Sequence, residues 1–166
     1  MSIFYRNKLV YRCCFLLFEE ADKSGPKTKD TWLYLIVGGV WGLWHLPYYL
    51  FFLPQQQINA VLPVDRVVFA IVAIFSMICW SVMFVELYRI TKSIWLVVIL
   101  HMIEDSLVNH LIIDGHIIIS SGKEILISPI IGIITAVFYI IVGLLMRRNR
   151  LIKENNVITV MPVTNT

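Results

Sequence analysis

Four apolar stretches, Thr31 to Leu53, Val67 to Val85, Ser93 to Ile113 and Ile125 to Met146, are each long enough to cross a bilayer. About 30 Å of hydrocarbon takes about 20 residues of α-helix at about 1.5 Å each. The second and fourth stretches carry no formal charge. Charged residues make up only 15% of the chain and hydrophobic residues 58%, whereas soluble domains carry roughly 25% charged residues. The expectation is an all-α, multi-pass integral membrane protein with about four transmembrane helices. Residues 31–146 would form its membrane-embedded domain, preceded by a juxtamembrane segment and linker over 1–30 and followed by a tail over 147–166.

Two of the apolar stretches are interrupted by ionisable groups. His45 lies in the first, and His101, Glu104 and Asp105 lie in the third. An ionisable side chain at membrane depth costs roughly 2.5–3.5 kcal/mol on insertion scales, so such groups face a protein interior and mark a functional site. Residues three and four apart share a helix face. On a regular helix His101, Glu104 and Asp105 therefore point the same way, Asn109 follows one turn later and His110 points roughly opposite. A His with a carboxylate one turn away can be oriented by it, can hold a metal, or can activate water. A core imidazole bonded to a backbone carbonyl is the structural alternative, and it is more plausible for lone His45 than for His101.

Topology follows from where Lys and Arg fall, because cytoplasmic loops retain positive charge. With the N-terminus inside, twelve of the fourteen bases are cytoplasmic and only Arg66 and Lys123 lie outside. The cluster Arg147, Arg148, Arg150 places the C-terminus inside as well. The net charge of +3 thus reflects topology and carries no indication of nucleic-acid binding. Ile3 to Phe18 mixes aromatics and aliphatics with Arg6, Lys8 and Arg12, as an amphipathic helix at the membrane surface does; the frayed end of a helix truncated upstream is the other reading. Cys13, Cys14 and Cys79 form no disulfide framework, and the first two are a weak lipidation pattern. The tail after Lys153 is expected to be disordered.

The string Gly39-Val40-Trp41-Gly42-Leu43-Trp44-His45-Leu46-Pro47 resembles the second motif of the CPBP family, the CAAX prenyl, bacteriocin-processing and Abi-like intramembrane proteases: an aromatic residue four positions ahead of a His. The string Thr91-Lys92-Ser93-Ile94-Trp95, leading to Leu100-His101-Met102-Ile103-Glu104-Asp105, resembles the family's last motif, a His followed four positions on by Asn or Asp. The resemblance covers most of Thr31 to Asn109 and has the motifs in the family's order. It implies an intramembrane endopeptidase in a bacterial cell membrane, acting on a peptide or protein substrate amid membrane lipid. The implied catalytic set is His45, His101 and Asp105. The same three residues are the implied metal ligands, for a divalent ion such as zinc. Asp105, where an Asn would donate, leans towards ligation.

The family's first motif, a Glu-Glu pair followed after three residues by Arg, is not matched. Counting back from Arg12 puts the pair on Asn7 and Lys8, and counting back from Arg6 puts it on Met1 and Ser2. Neither register supplies the carboxylate that activates water in the family, and the chain is expected either to start inside the motif or to be a catalytically weak relative. Glu19 and Glu20 have no Arg at the required spacing. Glu104, on the face of His101, is the substitute base within reach. Two readings from other classes stand beside the protease: a membrane-embedded binding or bacteriocin immunity protein of the same fold, and a component of an ion or proton pathway.

Overall fold

The computed structural model describes residues 30–113, 116–118, 122–128 and 131–160. The expected amphipathic segment, Cys13 and Cys14, Glu19 and Glu20, and both registers of the first motif lie outside the described residues. Most of those described are helical, and no strand occurs among them. In chain order they form α1 (Asp30–Pro47), a π-helical turn (Tyr48–Phe52), α2 (Gln55–Val61), α3 (Arg66–Thr91), α4 (Ile94–Ile103), a second π-helical turn (Glu104–Val108), α5 (Asn109–Ile113), α6 (Glu124–Ile127) and α7 (Ile133–Val160). Among the described residues, three stretches are long and apolar enough to cross a membrane: Asp30–Phe52, Arg66–Thr91 and Ile94–Ile112. The protein is an all-helical integral membrane protein.

The fourth expected span takes a different form. Ser128 leaves the helix after α6, and its carbonyl oxygen accepts from Gly132 N (2.8 Å) and Thr135 Oγ1 (3.1 Å). Gly132 lies so close to the Ser128 backbone that no Cβ would fit there. The continuous helix therefore starts at Ile133, and its apolar part, to Met146, is about 21 Å long. Nor is the chain disordered directly after Lys153, because α7 continues to Val160.

Pro47 accounts for the first π turn. Proline supplies no N–H to the preceding turn and its ring crowds the carbonyl four residues back, so the helix widens beyond it. Leu53 N then donates to Tyr48 O at 2.9 Å, five residues back. In the same pattern Tyr49 O would accept from Pro54, which has no N–H, and Arg66 Nη1 donates to it instead at 2.9 Å. Asp65 caps α3 by accepting from Val67 N at 2.9 Å.

Helix α3 is central, with α1 packed on one side and α7 on the other. Glycines permit both close approaches, in the small-residue manner of membrane helices. Gly38 of α1 abuts the backbone of Ile78, and Gly143 of α7 abuts Met83. Ser81 Oγ, fully buried, donates to Tyr34 O across the first seam at 2.7 Å. One apolar cluster joins Tyr34 and Val37 to Trp80, Phe84 and Val97, and a second joins Leu53, Ile58, Val61, Phe69, Ala73, Ile112 and Ile131.

A buried charge network closes the end of the bundle where α1 begins. Arg89 Nη1 donates to Asp30 Oδ1 at 2.7 Å and Arg147 Nε to Asp30 Oδ2 at 2.8 Å. Arg150 donates to both oxygens of Glu86 at 2.9 and 3.2 Å, and Tyr34 OH donates to Glu86 Oε1 at 2.6 Å. In the sequence these arginines read only as topology signals. In the structure they also pin α7 to α1 and α3, each carboxylate receiving charge-assisted bonds that compensate its burial.

Candidate functional site

Between the two apolar clusters lies a cavity of about 430 Å³ whose walls include His45, Tyr49, Trp80, His101, Glu104, Asp105 and His110. The rest of its lining is mostly apolar, with Leu53, Val61, Phe69, Ala73, Met77 and Ile131 beside Tyr48, Gln57 and Ser76. All four candidate site residues of the sequence thus meet at one place. The rings of His45 and His101 are 6.1 Å apart, centroid to centroid, and nearly perpendicular at 84°.

Trp41 explains the spacing of the second motif. One turn before His45, it accepts a hydrogen bond from His45 Nδ1 at 2.9 Å through its backbone carbonyl. A carbonyl only accepts, so the proton sits on Nδ1 and the Nε2 lone pair is left for other partners. The Trp41 ring reaches across to His101, edge-on at 4.9 Å. His45 also stacks on Tyr49 at 5.8 Å and 25°. The aromatic residue of the motif therefore sets both the tautomer of one imidazole and the position of the other.

The second π turn changes the arrangement of the acidic residues. A π turn advances less per residue than an α turn, so helical phase slips from Glu104 onward. His110, expected opposite to His101, is brought onto the cavity wall. Glu104 and Asp105, expected on the face of His101, differ in environment. Glu104 is only 6% exposed, and its Oε2 has no hydrogen-bond partner among the described residues. The Asp105 side chain is 54% exposed and stands 3.4 Å from His101 Nε2. With the proton of His101 on Nε2 facing Asp105, Nδ1 presents its lone pair, and it too is buried without a partner.

The expected metal set does not assemble. Among the described residues no three His, Cys, Asp or Glu side chains come together closely enough to hold a metal ion. His45 keeps Nε2 open, but His101 Nε2 faces Asp105 Oδ2 at 3.4 Å and the Asp105 side chain is 54% exposed. The residues His45, His101 and Asp105 as they stand therefore do not fit a zinc site, which takes three protein ligands even in its open catalytic form.

Sequence reasoning missed Trp80. It lies in the uncharged span, is 4% exposed, lines the cavity and has an indole Nε1–H without a partner among the described residues. A tryptophan among aliphatics in an apolar span gives no sign of whether it faces lipid or a site; only the helix packing distinguishes the two.

A helical membrane bundle that gathers ionisable side chains in an internal cavity has the kind of intramembrane polar cluster that marks a candidate site. The chain belongs to the Type II CAAX prenyl endopeptidase Rce1-like family, whose pattern matches residues 8–107 and so includes His45, His101, Glu104 and Asp105. No curated protein and no solved structure gives a significant match.

Proposed function

We propose that this chain is an intramembrane endopeptidase of the CAAX type, hydrolysing a peptide bond with water held in the cavity. The observation that carries the reading is that Glu104 Oε2 and His101 Nδ1 are buried and unpaired on the wall they share with His45. Buried polar atoms ordinarily have partners, and residues that carry unsatisfied ones on a cavity wall suit a ligand or water.

In this reading Glu104 is the general base, taking the place of the carboxylate that neither register of the first motif supplies. It accepts a proton from water as the water oxygen attacks the carbonyl carbon, and later returns that proton to the leaving nitrogen as the C–N bond breaks. The water's other O–H points between His45 Nε2 and His101 Nδ1, which share it as acceptors and orient the molecule. Asp105 is a positioning residue that holds His101 in the tautomer this requires. The apolar wall receives the substrate's apolar portion. No step is routed through a metal, because the ligand set does not fit one. Cleavage of a farnesylated peptide ending in a CAAX sequence, and its loss in Glu104→Gln, tests the proposal.

A further inference from the structure

We infer that the indole N–H of Trp80 holds the carbonyl oxygen of the bound peptide, a catalytic donor not among the motif residues; this rests on the reading above. Three buried polar side-chain atoms among the described residues lack a partner: Glu104 Oε2, His101 Nδ1 and Trp80 Nε1. All three residues line the cavity. The first accepts, and the second accepts when Nε2–H faces Asp105. An indole nitrogen only donates. A hydrolytic site needs acceptors for the protons of water and a donor for the oxygen that gains charge. The unpaired atoms supply both.

The ring is held for this task. Trp80 stacks on Tyr139 of α7 at 5.0 Å and 27°, and lies edge-on to Trp41 of α1 at 6.2 Å and 60°. Neighbours on two other helices fix its plane, so the N–H does not have to reorganise when charge develops. As water adds to the carbonyl carbon, the electrons of the C=O bond move onto oxygen, where the N–H meets them. When the intermediate collapses, C=O re-forms and the C–N electron pair leaves with nitrogen, which takes the proton held by Glu104.

The test uses the full chain in detergent micelles with a farnesylated CAAX peptide. Benzothienylalanine in place of Trp80 keeps the ring system and replaces N–H by sulfur. It should lower kcat on the order of 100-fold, as loss of one oxyanion donor does, with KM little changed, and Trp80→Phe should act in the same direction. A second measurement needs no turnover. In ¹⁵N-Trp-labelled Glu104→Gln protein, the uncleaved peptide should move the Trp80 indole resonance downfield. The same peptide with its scissile carbonyl reduced to a methylene should not. If the peptide shifts other indole resonances and leaves Trp80 unmoved, another group holds the carbonyl and the inference fails while the endopeptidase reading stands. Full kcat with benzothienylalanine, accompanied by loss in Tyr49→Phe, would also overturn it and assign the role to Tyr49, whose ring lines the same cavity. If the peptide moves no resonance at all, both the inference and the reading fall.

Discussion

His45 and His101, 56 positions apart in the sequence, face each other with ring centroids 6.1 Å apart across the edge of Trp41. Residues that orient one water act as a unit, so their losses do not add. His45→Ala and His101→Ala should each lower kcat/KM by roughly 100- to 10,000-fold. The double variant should lose little more than the worse single. Multiplying losses would indicate two independent roles and refute a shared water.

The Asp30 carboxylate receives Arg89 and Arg147 while only 3% exposed. Asp30→Ala leaves two guanidinium groups facing an apolar side chain and should destabilise the fold by about 3–5 kcal/mol. Combining it with Arg147→Ala should recover part of the loss. Arg148→Ala, at an exposed position of α7, should leave the unfolding midpoint unchanged. Midpoints in detergent read all three, and an unchanged midpoint in Asp30→Ala would remove the network from any account of how α7 is held.

Gly38 and Gly39 are adjacent in sequence and opposite in consequence. A Cβ at Gly38 would collide with the Ile78 backbone, whereas one at Gly39 meets nothing within 4 Å. Gly38→Ala should cost about 1–3 kcal/mol through overpacking of the α1–α3 seam. Gly39→Ala should be neutral or slightly stabilising, since Ala is the better helix former. Equal midpoints for the two would contradict the seam.

Orientation is open to direct measurement. In a background lacking Cys13, Cys14 and Cys79, Lys153→Cys should be shielded from an impermeant thiol reagent in intact cells and labelled after lysis, the outcome expected if the Lys and Arg distribution places that end inside. Labelling from outside would reverse the topology.

The helical fold and the ionisable residues that line the cavity were legible in the sequence because apolar length and buried ionisable residues are both rare signals with few explanations. His45, His101, Glu104 and Asp105 stood out for that reason. What was not legible depends on geometry that no local pattern encodes. The π turn at Glu104–Val108 shifts the helical phase and places His110 on the cavity, and tertiary packing leaves Glu104 buried and Asp105 exposed. Asp30 and its partners Arg89 and Arg147 are 59 and 117 positions apart, so the latter two could be read only as topology signals. Trp80 was concealed by the apolar span around it. Ser128 and Gly132 interrupt a stretch whose composition alone reads as an unbroken helix.

The central claim, that Glu104 is the base of a peptide-hydrolysing cavity, is tested most directly by kcat for a farnesylated CAAX peptide with the unaltered chain and with Glu104→Gln, at matched folding. Glutamine keeps the shape of the side chain and cannot take the proton. The account predicts turnover by the unaltered chain that falls roughly 100- to 10,000-fold in Glu104→Gln, with peptide binding retained. Undiminished turnover in Glu104→Gln would contradict it by showing that another group is the base, and peptide binding without any turnover by the unaltered chain would contradict it in favour of a binding protein with the same cavity.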